Sequence, residues 1–273
     1  MGEVSACPRS CNVGAGLKPA QAEGRCYFRV KAGRVGGEAV EVILTGRKLS
    51  KSYQLGEVRV QALIDVDIQI YQGELVVVLG PSGSGKSTLL NMLGGMDKVS
   101  SGELFYRQQP LHAMDEKGLT RYRREAVGFI FQFYNLMPNL TAWENVHLAT
   151  EIAAKPLSAK DVLIDVGLGE RLEHFPAQLS GGEQQRVAVA RAVAKNPEFL
   201  LCDEPTGALD FETGIQVLKL LRKFSREQKR TVVLITHNAG IADMADRVLY
   251  MRDGRLDRIR SNENPLAPEE VSW

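Results

Sequence analysis

Past the first 40 residues, apolar positions fall in two alternating rhythms, short β-branched runs and longer stretches at helical spacing. Val42-Ile43-Leu44, Val58 to Leu63 and Val66 to Ile70 read as short strands bounded by Gly46, Gly56 and Gly73. Glu74 to Leu79 is a β-branched run too short for a helix and suited to a strand buried on both faces. Lys86 to Met96 predicts a helix, Ala126 to Phe131 a strand, and Thr141 to Ala154 a helix with Thr141 and Glu144 at capping-box spacing. Ser158 and Asp161 mark another helix start, and residues 182 to 195 a further helix. Phe199 to Cys202 reads as a buried strand, Gly214 to Gln228 as an amphipathic helix, and Thr231 to Thr236 as the next buried strand. Asp253-Gly254, between Arg247 to Met251 and Arg255 to Ile259, predicts a hairpin, and the polar end from Ser261 is expected to fray. This alternation predicts an α/β fold on a parallel sheet, and no internal repeat is visible.

Composition narrows the class. With 273 residues, 44% of them hydrophobic and 25% charged, the chain can bury a sizeable core. Lys and Arg number 34 against 33 Asp and Glu, so the formal charge of +1 offers no net attraction for nucleic acid. No stretch approaches the length of apolar sequence a membrane helix needs, and the N-terminus lacks the apolar block of a secretory signal. A soluble chain in the cytoplasm is expected. Residues 1 to 40 read as a mobile tail carrying Cys7, Cys11 and Cys26. A structural zinc site wants four ligands and the first histidine is His112, so unligated thiols are expected there. A mis-assigned translation start or a targeting role would also account for such a leader.

Gly80-Pro81-Ser82-Gly83-Ser84-Gly85-Lys86-Ser87 fits G-x-x-x-x-G-K-[ST], after a predicted buried strand and opening a predicted helix. Glycines let backbone N–H groups turn toward a polyphosphate, and the helix start adds partial positive charge. Lys86 reaches the outer phosphates and the Ser87 hydroxyl can ligate magnesium. Phe199-Leu200-Leu201-Cys202-Asp203-Glu204 supplies the complement, an apolar strand ending in two acids at the sheet edge where ligands bind. Asp203 suits the metal, and Glu204 is placed to orient and polarise an attacking water. These features fit a P-loop nucleotide hydrolase that works with Mg2+, a class with many members.

Leu179-Ser180-Gly181-Gly182-Glu183-Gln184-Gln185-Arg186 resembles the signature sequence of ATP-binding cassette proteins, at that family's spacing before Phe199 to Glu204. Physically, Ser180 and Glu183 form a capping box, and the glycines bare the N–H groups of a second anion-attracting helix start. The resemblance covers roughly residues 41 to 259. It implies a RecA-like P-loop core with a parallel sheet, an N-terminal antiparallel β subdomain and an inserted helical signature subdomain at about 134–196, followed by a polar tail at 260–273. It implies ATP contacts from Tyr53, the adenine-stacking aromatic, and from Gly80, Ser82, Gly83, Ser84, Gly85, Lys86, Ser87 and Thr88. Ser87, Gln132 and Asp203 would hold the metal, and Glu204, His237 and Gln132 would manage the water and the γ-phosphate. Ser180, Gly181, Gly182 and Glu183 would face the nucleotide of a second copy, with Asp210 in the dimer-contact loop.

Within the family, Gln132-Phe133-Tyr134-Asn135-Leu136-Met137-Pro138, Glu144-Asn145-Val146 and Asp203 to Asp210 look like the lipoprotein-releasing and macrolide-export branch. That implies a homodimer working with integral membrane permease subunits at the inner face of the cell membrane, without nucleic acid. Phe133, Tyr134, Leu136 and Met137 would line the groove for a permease helix, although half of them could be core. The alternative is a regulatory or scaffold ATPase of the same family that recruits a partner without transport.

Overall fold

The computed structural model describes residues 33–35 and 38–272, so Cys7, Cys11 and Cys26 and most of the expected tail lie outside it. Gly33–Val35 (β1) and Glu38–Val40 (β2) pair antiparallel, which is regular structure inside the stretch read as a tail. Val42–Leu55 (β3) and Val58–Tyr71 (β4) follow as one long hairpin, where the sequence suggests three short strands. Register shifts near Gly46, Leu49 and Lys51 explain the difference. They interrupt the alternation of buried and exposed residues without breaking the pairing, so Gly46 lies inside a strand.

Leu75–Leu79 (β5) is buried along its whole length, as its apolar run requires, and leads into Lys86–Leu93 (α1). Gly94 ends that helix before the expected Met96. Ser101–Tyr106 (β6), Gln109–Pro110 (β7) and Glu116–Glu125 (α2) are elements that the sequence reading leaves out. Next come Val127–Ile130 (β8), Ala142–Glu151 (α3), Ala159–Asp165 (α4) and Gly181–Ala194 (α5). All three of these helices start at the caps read from sequence, Thr141, Ser158 and Ser180, each accepting a backbone N–H three residues on. Phe199–Asp203 (β9), Phe211–Arg226 (α6), Thr231–Thr236 (β10), Arg247–Arg252 (β11) and Arg255–Ser261 (β12) complete the order.

The six-stranded sheet runs β12-β11-β5-β10-β9-β8. It is parallel except for β12, which the Asp253-Gly254 turn returns antiparallel along β11. Both turn residues have positive φ, the geometry that selects Asp-Gly. A four-stranded antiparallel sheet, β4-β3-β6-β7, forms a second layer over α1, and α3, α4 and α5 share a separate apolar core. This is the P-loop nucleoside triphosphatase architecture with an antiparallel layer and a helical insertion. Among the described residues, no helix is long and apolar enough to cross a membrane.

Lys195, just after α5, donates to the carbonyls of Arg123 and Val127 and so ties α5 to the end of α2. Burial lowers its ammonium pKa to about 8. Between that value and about 10.4, typical of an unfolded lysine, the unfolded chain holds the extra proton. The stability of the native protein relative to Lys195→Met should therefore rise as the pH goes from about 8 toward 10, measured by urea unfolding of both chains. A flat difference across that window would show that Lys195 titrates as a solvated amine.

The C-terminal segment departs from expectation. Rather than fraying after Ser261, it packs on the protein: Val271 is 3% exposed within the apolar layer beside β10 and α6, and Pro268 is buried. Its few apolar residues are too widely spaced to show a periodicity, which is why the sequence reads as a tail.

Candidate active site

The C-terminal ends of β5, β9 and β10 deliver the Gly80 loop, Asp203-Glu204 and His237 to one edge of the sheet. Together with the β3–β4 hairpin they enclose a cleft of about 720 Å³, a size suited to a nucleotide. Ser82, Gly83, Gly85, Lys86, Ser87, Thr88, Gln132, Asp203, Glu204 and His237 all line it.

The loop owes its shape to close backbone approaches. Gly85, the N-cap of α1, has φ +94°, and a Cβ there would run into the Ala62 carbonyl oxygen of β4. A side chain is excluded on both counts. Lys86 is 7% exposed, and its ammonium spans the loop, donating to the carbonyls of Gly80 at 2.8 Å and Pro81 at 2.9 Å. The Ser84 hydroxyl is buried without a hydrogen-bond partner among the described residues, and Gly80 packs against it and the Met251 carbonyl.

Ser87 Oγ donates to Asp203 Oδ1 at 3.2 Å. Burial holds the Asp203 carboxyl above its ordinary range, with the nearby Glu204 charge adding and the Ser87 hydroxyl and Lys86 opposing. Hydroxyl, carboxylate and, from Gln132, amide oxygens are hard donors that fit Mg2+. Such an ion takes one or two protein carboxylates and completes its shell with phosphate and water. When bound, it would supply positive charge at the phosphates and counter the burial effect on Asp203.

Glu204 is strained in a way the sequence does not reveal. Its φ is +49°, left-handed for a residue with a Cβ, at a cost of about 1–2 kcal/mol. Two backbone bonds hold it, Glu204 N to the Ile235 carbonyl and Gly207 N to the Glu204 carbonyl, both 3.0 Å. His237 Nδ1 lies 3.0 Å from Glu204 Oε1. A carboxylate oxygen accepts, so the Nδ1–H of His237 is the donor in this contact. The pair is therefore oriented by one hydrogen bond, leaving the second carboxylate oxygen for a water.

Other expected residues lie outside that lining. Tyr53 stands beside the cleft, directly across the hairpin from Val60, with its hydroxyl donating to Asp97 Oδ2 at 2.6 Å and the Lys51 ammonium 5.0 Å from its ring centre. Val60, 42% exposed, lines the cleft next to it. Sequence reading passed over Val60, although an apolar residue at the exposed tip of a hairpin was the available signal. Ser180, Gly181, Gly182 and Glu183 are also absent from the lining. Ser180 Oγ accepts from Glu183 N at 3.2 Å, and the Glu183 carboxylate accepts from Ser180 N at 2.8 Å and from Arg171 at 3.1 Å. The Ser180 N–H, helped by Arg171, holds that carboxyl below its usual range. A Cβ on Gly182 would strike the Thr213 methyl, so the start of α5 lies tight against α6. Asp210 caps α6 through Thr213 N and Oγ1. Phe133 and Met137 are 74% and 48% exposed, whereas Leu136 packs into the helical core and Tyr134 is half-buried.

Fold and cleft thus define a P-loop nucleoside triphosphatase with an acid–histidine pair lining its cleft. The sequence profile described as ABC transporter matches residues 63–207. An uncharacterized ABC transporter ATP-binding protein of Thermotoga maritima is 47% identical over 214 residues, 77% of this chain and 91% of that one. The lipoprotein-releasing system ATP-binding protein LolD of Idiomarina loihiensis is 44% identical over 223 residues, 80% of this chain and 98% of that one. The dimeric, post-hydrolysis structure of the Methanocaldococcus jannaschii cassette MJ0796 bound to ADP and Pi superposes with a TM-score of 0.75 at 40% identity, covering 80% of this chain and 98% of that one. The chain belongs to the ABC transporter family as an ATP-binding, ATP-hydrolysing subunit.

Proposed function

We propose that two copies of this chain close around two ATP molecules, and that each site is completed in trans. One copy contributes Lys86, Ser87, Gln132, Asp203, Glu204 and His237, with Ser87, Gln132 and Asp203 holding Mg2+, and the other contributes Ser180 and Gly182. The observation that carries this reading is the pair of anion-attracting helix starts, α1 and α5, of which only α1 lies in the cleft. A bare, capped helix start remote from any phosphate of its own chain makes sense when a second chain brings one. The dimer seen for the related cassette supports the pairing of two copies.

Glu204, held by His237, then takes up a proton from the attacking water, and Lys86 releases its loop carbonyls to neutralise phosphate charge. Loss of the bridging charge after hydrolysis opens the dimer, and that motion drives a separate membrane permease. The exposed Phe133 and Met137 suit a permease helix docking beside Gln132. The likeness to LolD and the Gln132 to Pro138 segment support a cargo of lipophilic or peptide-like molecules and a subunit held peripherally at the inner face of the cell membrane.

Ser180→Asp separates capping from recognition in trans. Aspartate is as good an N-cap as serine, so stability should change by less than about 0.5 kcal/mol, but its charge would face the partner's phosphates. Hydrolysis and ATP-dependent dimerisation should fall at least tenfold while the monomer's ATP affinity stays within about twofold. Weakened binding by the monomer itself, measured by titration calorimetry, would place Ser180 at its own chain's nucleotide.

A further inference from the structure

The packed C-terminal segment bears on His237. The turn at Gly240–Met244 follows that histidine after two residues, and residues 262–272 are fastened across it. Asn262 Nδ2 donates to the carbonyls of Ala242 at 3.0 Å and Ala245 at 2.8 Å, and Leu266 N donates to the Asp243 carbonyl at 3.0 Å. Val271 shares an apolar layer with Ile241, Ala242 and Met244. At the far end the Ser272 carbonyl oxygen sits so close over Gly240 that any Cβ there would overlap it. The same segment grips α6, since Arg222 donates to the carbonyls of Leu266 and Pro265 and Lys219 pairs with Glu269 at 2.8 Å.

His237 itself has little to hold it. Its side chain is 71% exposed and, among the described residues, its one hydrogen-bond partner is Glu204. Ring placement therefore depends on the backbone from Thr236 to Gly240. One end of that stretch is anchored in β10, where Asn238 N donates to Thr236 Oγ1 at 3.0 Å. The other end is Gly240, whose N–H donates to Asn238 Oδ1 at 2.9 Å and whose open face carries Ser272.

We infer that residues 262–272 are a positioning strap for His237, with Asn262, Val271 and the Ser272 carbonyl fixing the 240–244 turn so that the imidazole meets Glu204. This rests on the reading of His237 given above and assigns a role in hydrolysis to a segment outside the cleft.

Gly240→Ala and deletion of 265–273 test it together. Gly240 has ordinary φ, so alanine strains no backbone and its methyl meets only Ser272 at close range, with Asn238 Oδ1 next at 3.4 Å. In the full chain, Gly240→Ala should lower kcat roughly tenfold with KM for ATP within twofold, as expected for a misplaced catalytic group. It should also shift the His237 ring resonance in proton NMR while those of His112, His147 and His174 stay in place. In the deleted chain, Gly240→Ala should add no further loss, because the atom it displaces is gone. Should the deletion unfold the protein, Asn262→Ala replaces it, with the same selective shift of His237 and a smaller fall in kcat. Native kcat and an unmoved His237 resonance in Gly240→Ala would overturn the strap, as would an undiminished Gly240→Ala effect after the deletion. Wild-type turnover in His237→Ala would instead overturn the histidine's catalytic role, and the resonance shift would still report on the strap.

Discussion

Glu204→Gln should keep ATP binding, lower steady-state hydrolysis by ~10²-fold or more, and accumulate an ATP-bound dimer. Glutamine has the same shape and can still accept from His237, so the 3.0 Å contact and the backbone bonds to Ile235 and Gly207 survive. What disappears is the negative charge that draws a proton from the water, and a hundredfold loss corresponds to about 2.7 kcal/mol of barrier. Phosphate release measures the rate, and gel filtration with and without ATP measures the dimer. Hydrolysis at the native rate would remove Glu204 from the chemistry and point to phosphate itself as the base. A combined fall in binding and rate would instead mean that the left-handed turn had collapsed.

Glu74→Ala should be the most damaging change far from the cleft, at about 3–5 kcal/mol of stability. Glu74 is fully buried, and its carboxylate accepts from Arg247 through Nε at 2.7 Å and Nη2 at 2.6 Å and from Tyr71 N at 2.6 Å. Arg247 also donates to the Gln69 carbonyl and lies over the Tyr71 ring. Burial pushes the Glu74 carboxyl above its ordinary range even against the arginine beside it, which marks the site as dry. Removing the acid strands a guanidinium whose side chain is only 11% exposed, and with it the joint between β4, β5 and β11. Chemical unfolding should show the loss, whereas the double replacement Glu74→Leu with Arg247→Met should recover most of it, because the costly state is one charge without the other. A double variant no more stable than Glu74→Ala would mean that the pair contributes by geometry rather than by compensation of charge.

Several elements were legible because a single physical constraint wrote them locally. β5, β9 and β10 are buried on both faces and so are continuously apolar, and three helices announce their starts by capping residues that satisfy the first backbone N–H groups. The Asp253-Gly254 turn shows for the same reason, since few other residues accept its positive φ. By contrast β6, β7 and α2 are short or largely exposed on one face, and their patterns are too brief to stand out. Lys195, Gly240 and the C-terminal strap carry no signature at all.

The amino-acid sequence by itself determined the Gly80–Ser87 phosphate-loop pattern and the Asp203-Glu204 pair that ends a buried apolar strand. Phosphate binding depends on backbone N–H groups and glycines at fixed local spacing, and that information is one-dimensional. Only the tertiary structure decided that Glu204 stands in a left-handed turn against His237, that Val60 lines the cleft beside Tyr53, and that Glu74 answers Arg247 across 173 positions. It likewise decided that the C-terminal end is fastened beside the active site. Each of these depends on which groups burial forces together, and burial is a property of the packed chain rather than of any stretch of it.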